Sequence, residues 1–94
     1  MDAQVGQLVT SRAGRDAGQQ FLVIGYMGRR VLVADGRARS VQRPKQKNLR
    51  HVSLHEVWAQ DIRAKLLANV SVSNADIRDA LEKLQDGVEE VDRQ

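Results

Sequence analysis

The sequence has no cysteine, a single proline (Pro44), and one each of phenylalanine, tyrosine and tryptophan in 94 residues. Without cysteine, disulfides and thiolate metal sites are excluded, and a reducing, cytoplasmic setting is the expectation. Phe21, Tyr26 and Trp58 are too few to build a platform on which successive single-stranded bases stack. They are also too few for an aromatic cage around a methylated lysine. The longest apolar run, Phe21 to Met27, falls far short of the roughly 20 residues that a membrane-crossing helix needs. The opening Met1-Asp-Ala-Gln-Val5 has neither a basic start nor an apolar stretch, so neither a secretory leader nor a membrane partner is expected.

What is present is charge, unevenly placed. Residues 1–52 carry ten Lys or Arg against three acids, a balance of +7; residues 53–94 carry five against nine, a balance of −4. A basic half beside an acidic half points to a polyanion as partner of the first. The basic side chains concentrate in Arg37 to Arg50, where six fall within fourteen residues.

The two halves also differ in period. Gln7 to Ser11 reads as a short strand, followed by a loop from Arg12 to Gln19 in which Gly14 and Gly18 permit positive φ. Phe21 to Met27 is the strongest strand, apolar on both faces and therefore expected to be covered on both, with Gly25 suggesting a bulge or a sharp bend. Gly28-Arg29 turns into a strand at Val31 to Ala34. Asp35-Gly36 reads as a type I′ turn into a strand over Arg37 to Gln42, which Pro44 stops. A last strand lies near Leu49 to Val52. From Ser53 the period becomes 3.6: Ser53 and Glu56 have capping-box spacing, and Leu54, Val57, Trp58, Ile62 and Leu66 share a helical face to about Asn69. After the connector Val70 to Val72, Ser73 and Asp76 repeat the cap. Ile77, Ala80, Leu81, Leu84 and Val88 form a second stripe, with Gly87 as its end and a frayed acidic terminus beyond. The expected fold class is α+β: a small barrel of about five strands over residues 1–52, then two amphipathic helices forming a hairpin over 53–94.

In order, Gly6-Gln-Leu-Val9, Ala13-Gly14-Arg15-Asp16-Ala17-Gly18, Phe21-Leu-Val-Ile24, Val31-Leu-Val33, Asp35-Gly36 and Arg43-Pro-Lys-Gln-Lys-Asn48-Leu-Arg-His51 form a set. That set resembles the KOW motif of archaeal and eukaryotic large-subunit ribosomal proteins and their small bacterial relatives. The resemblance covers residues 6–52. It departs from the motif at Gln20, where many members have another glycine, and it does not extend to the helical tail. It implies an SH3-like barrel that binds RNA, structured ribosomal RNA or a ribosome-associated complex, with Arg12, Arg15 and the basic segment as contacts. KOW domains of the elongation factor NusG also touch proteins, so a protein-interaction module, or docking and self-association through the helices, is the alternative.

The expected RNA-binding residues are Arg12, Arg15, Arg37, Arg39, Arg43, Lys45, Lys47 and Arg50, the arginines offering planar forks to phosphate and the lysines compact charges. Asn48 and His51 add hydrogen bonds. Gly14 and Gly18 are expected to shape the loop; they lack the Lys-Ser/Thr ending and the following helix of a P-loop. His51 and His55 straddle the cap at Ser53, so no metal is expected. Asp16, Asp35, Glu56 and Asp61 are not paired in an apolar setting that would suit acid–base work, and Asp16 has Arg12 and Arg15 for neutralisation. The expectation is a protein without catalytic residues or a cofactor.

Overall fold

A computed structural model describes residues 3–92, and side chains as far as residue 85. The chain is α+β. Strands β1 (Gln7–Ser11), β2 (Gln20–Met27), β3 (Arg30–Ala34) and β4 (Lys45–Asn48) are followed by a 3₁₀ turn (Leu49–His51), then β5 (Val52–Trp58), α1 (Gln60–Leu67) and α2 (Asn74–Asp92). All strand pairs are antiparallel, in the order β4-β3-β2-β1-β5, so the sheet is open with β4 and β5 at its edges.

The alternation of side chains along each strand gives the sheet two apolar faces. Leu8, Leu22 and Ile24 face the helices and pack with Ile62, Leu66, Ile77, Ala80, Leu81 and Leu84. Val9, Phe21, Val23, Val31, Val33 and Val52 form a second cluster on the opposite face, joined by Ala3, Leu49 and Leu54. Among the described residues none of α1 or α2 belongs to this second cluster, yet Val9, Val23 and Val33 are 0% exposed and Phe21 is 1% exposed. Each such burial contributes about 1.5–3 kcal/mol, so both faces of β2 are committed to core. At Gly25 the pairing with β3 slips by one residue, the bulge that its glycine suggests.

Three parts of the sequence reading need correction. No strand forms over Arg37 to Gln42. Asp35 Oδ1 accepts the N–H groups of both Arg37 and Arg39 at 2.9 Å, and Asn74 Oδ1 accepts that of Val41 at 2.8 Å. Side chains thus take the donors that a ladder would use. The strand comes after Pro44, which precedes β4 instead of ending a strand before it.

The expected strand near Leu49 to Val52 is a 3₁₀ turn capped by Asn48. No helix begins at Ser53, and there is no Ser53–Glu56 cap: residues 52–58 form β5 on the free edge of β1, with Ser53 opposite Thr10. Pairing a row of backbone groups outweighs one local cap, and Val52, Val57 and Trp58 suit a strand. The sheet therefore extends past residue 52, and Leu54 and Trp58 lie on a strand instead of the helical face.

Gly87 lies inside α2 and does not end it. A single interior glycine costs about 1 kcal/mol, which a long amphipathic helix tolerates. The Val88 side chain and residues 93–94 fall outside those described.

Other local signals hold. Ser73 and Asp76 cap α2 reciprocally, with Asp76 N–H donating to Ser73 Oγ at 3.0 Å and Ser73 N–H to Asp76 Oδ2 at 3.1 Å. The Ser73 backbone, with Lys65 at 3.3 Å, holds the Asp76 carboxyl below its ordinary range. Helix α1 ends at a left-handed Asn69, where the N–H of Val70 reaches Lys65 O at 2.8 Å and that of Asn69 reaches Leu66 O at 3.2 Å.

Candidate nucleic-acid interface

The loop between β1 and β2 is closed at its base by two backbone bonds: Gly18 N–H to Ser11 O at 2.8 Å and Ser11 N–H to Gln19 O at 2.9 Å. Gly14 and Gly18 have φ of +86° and +91°, conformations that a side chain would oppose by about 1–2 kcal/mol each. Between them the chain folds back so that Asp16 points inward. Its Oδ1 accepts Ser11 Oγ at 2.7 Å and Lys47 Nζ at 2.8 Å, and its Oδ2 lies 2.9 Å from Lys45 Nζ. The Lys45 contact is an ion pair. Lys47 also donates to Ala13 O at 2.9 Å.

The register explains how a residue of β4 reaches this loop. Lys45 stands opposite Val33 and Lys47 opposite Val31, so both ammonium stems leave on the helix-free face, at whose end the loop sits. The side chains of Lys47, Asp16 and Lys45 are 7%, 12% and 27% exposed. Burial pushes the Asp16 carboxyl up, but the Lys47, Ser11 and Lys45 contacts outweigh it and hold the group well below the usual carboxylate range. Asp16 is neutralised by these two lysines, and not by Arg12 or Arg15 as expected. Lys47 is therefore an internal cation and Lys45 a partly shielded one, whereas the sequence reading put both on phosphates.

The other residues of the expected interface remain outside. Arg12, Arg15, Arg37, Arg39, Arg43 and Arg50 are exposed, and among the described residues none of them pairs with a carboxylate. The N–H of Arg12 donates to His51 O at 2.8 Å, which joins the glycine loop to the 3₁₀ turn and brings Arg12, Arg50 and His51 into one neighbourhood. Asn48 is exposed, but its Oδ1 accepts the N–H of Arg50 at 3.1 Å, so its carbonyl shapes the turn. His51 is exposed. His55 lies on β5 and is bonded to Thr10 Oγ1 at 2.7 Å, whereas His51 ends the 3₁₀ turn.

Arg37, Arg39 and Arg43 lie on the β3–β4 loop, which the start of α2 holds down. Arg78 Nη1 donates to Gly36 O at 2.7 Å, and Asn74 Nδ2 donates to Gln42 Oε1 at 2.9 Å. Gly36, at φ +76°, presses against the Asn74 carbonyl and the Arg78 side chain, leaving no room for a Cβ.

Asn74 and Arg78 were invisible as site residues because they come some thirty residues or more after the loop they fix. The alternation Lys45-Gln-Lys47-Asn48 opposite Val31-Leu-Val33 was the available signal that two lysines turn inward.

Among the described residues no group of His, Asp and Glu is arranged to hold a metal, and no helix is long and apolar enough to cross a membrane. No family model matches the chain, and no curated protein matches it significantly.

Proposed function

We propose that the chain is a non-catalytic, KOW-like RNA-binding protein whose exposed arginines hold the phosphates of a structured RNA, of the ribosomal kind that the resemblance implies. The observation that carries this reading is the division of cations around the glycine loop. Asp16 takes up Lys45 and Lys47 internally, while Arg12, Arg15 and Arg50 stand exposed on the loop and turn that those contacts brace. A braced set of guanidinium forks suits the regular phosphate spacing of a folded RNA. The sealed apolar cluster on the helix-free face favours a sheet curled towards the half-open, SH3-like barrel of KOW domains.

The rival reading, docking of a protein on the helical stripe, loses ground because Ile77, Leu81 and Leu84 pack against the protein's own sheet.

A salt titration of binding to a structured RNA and to a matched DNA duplex tests the proposal. Replacing Arg12, Arg15, Arg43 and Arg50 by Ala should flatten the log–log salt slope by about three units. Replacing Lys45 and Lys47 should change it by less than about one unit. Weak and equal binding to both nucleic acids, unaffected by loss of the four arginines, would refute it.

A further inference from the structure

Beside the glycine loop, between Gly18–Gln20, the Asp35 turn and the exposed flank of α2, lies an open cleft of about 740 Å³. It has the size of a small-molecule site. Its charged lining cancels: Arg37 and Arg78 stand against Asp35 and Glu82. Much of that charge is already engaged. Arg78 donates to Gly36 O, and Asp35 Oδ1 accepts the N–H groups of Arg37 and Arg39. A cleft of zero net charge offers little to a phosphate, in contrast to the surrounding arginines.

What remains to line it is uncharged and bifunctional. Gln19, Gln20 and Gln85 each carry a donor and an acceptor, and the exposed Ala38, with the small uncovered part of Leu81 (6% exposed), supplies the apolar lining. Gly18 leaves its side of the mouth open, since nothing lies within 4 Å of where its Cβ would be.

An uncharged, flat, hydrogen-bonding group attached to a polyanion matches this combination. We infer that the cleft takes one unpaired nucleobase of the RNA. The base lies against Ala38 and the uncovered edge of Leu81 with its own edge on the glutamine amides, while the flanking phosphates stay on the exposed arginines. Unpaired bases splayed from loops and bulges are the parts of RNA that proteins read by their edges. The inference rests on the RNA-binding reading and adds a selectivity to it. A fully paired stem would be held by its backbone alone, and a stem with an extruded base would be held more tightly.

The test uses one RNA hairpin with a fully paired stem and four derivatives, each with a different single bulged nucleotide. Wild type, Gln19→Ala/Gln85→Ala and Arg12→Ala/Arg15→Ala proteins are compared at fixed salt. Gln19 and Gln85 are exposed and, among the described residues, their side chains donate none of the bonds that hold the fold; equal urea midpoints check that the fold is kept.

The expected result is that at least one bulged hairpin binds wild type about tenfold more tightly than the paired stem. The glutamine variant should lose that preference and keep its affinity for the paired stem. The arginine variant should bind every hairpin more weakly and keep the preference. Equal wild-type affinity for all five RNAs overturns the nucleobase site and leaves RNA binding standing, as does a preference that survives in the glutamine variant. Failure to bind any of them overturns RNA binding, and the nucleobase site with it.

Discussion

Replacing Asp16 by Ala should be among the most damaging single changes outside the apolar core, although the residue lies in a loop. The carboxylate has two cations and a hydroxyl within 2.9 Å. Its removal leaves Lys47, only 7% exposed, as a charge with the Ala13 carbonyl as its remaining partner. Breaking one partner out of a buried ion pair costs about 3–5 kcal/mol. The lower end applies here, because Lys47 keeps that carbonyl and Lys45, at 27% exposed, can turn to water. A loss of about 3 kcal/mol is a large share of the 5–15 kcal/mol that holds a small domain together.

Lys47→Met is the complementary change. It keeps the apolar stem and leaves Asp16 with Lys45 and Ser11, so about 1–2 kcal/mol is expected. The double variant Asp16→Ala/Lys47→Met removes the stranded ammonium together with its partner. It should fall short of the summed single losses by about 1–2 kcal/mol. Urea unfolding at neutral pH, followed by far-ultraviolet circular dichroism, gives all three values. If Asp16→Ala stayed within about 0.5 kcal/mol of wild type, or the two changes were additive, the clasp would not brace the loop and the division of cations would lose its basis.

Two further outcomes follow from the same geometry. The folded-state pKa of Asp16 lies below its ordinary value of 3.8, so the unfolded chain binds the extra proton first. The stabilisation is full above about pH 4 and is lost as pH falls through the folded value, so the stability gap between wild type and Asp16→Asn should narrow in urea melts taken from about pH 4 downward. Gly18→Ala and Gly36→Ala should differ although both glycines have positive φ. The first meets open space and costs about 1 kcal/mol of backbone strain, whereas the second also drives a methyl group into the Asn74 carbonyl and should cost about 3 kcal/mol. Thermal midpoints separate the two cases by roughly 10 °C.

The parts of the fold legible in the sequence are those set by local chemistry. The two-faced strand at β2, the bulge at Gly25, the turn at Gly28-Arg29, the helix end near Asn69 and the cap at Ser73 each depend on residues within a few positions. The misread parts are those where a distant element decided the outcome. Val52 to Trp58 carries both a capping-box spacing and β-branched residues, and the unpaired edge of β1, over forty residues earlier, selects the strand. Arg37 to Gln42 alternates as a strand does, but Asn74 and Arg78 hold the neighbouring backbone from α2. Of the candidate site, counting cations located the basic segment, but only the register of β4 against β3 tells inward lysines from outward arginines.

That difference changes how the basic segment should be understood. A run of six cations read as one phosphate-tracking strip implies interchangeable charges, each adding a similar increment to the salt slope. The clasp makes them unequal. Lys45 and Lys47 hold the glycine loop through Asp16, and on the proposed reading the exposed arginines meet the phosphates. Arginine is suited to the outer role because its fork fixes direction as well as charge. Lysine is suited to the inner one because a single ammonium can meet a carboxylate and a carbonyl at once. Exchanging the two types, with Lys47→Arg inside and Arg15→Lys outside, therefore keeps the net charge at +3 yet should damage different properties. The first forces a larger planar group into a 7%-exposed site and acts on stability. The second should preserve stability and, on the proposed RNA-binding reading, lower RNA affinity.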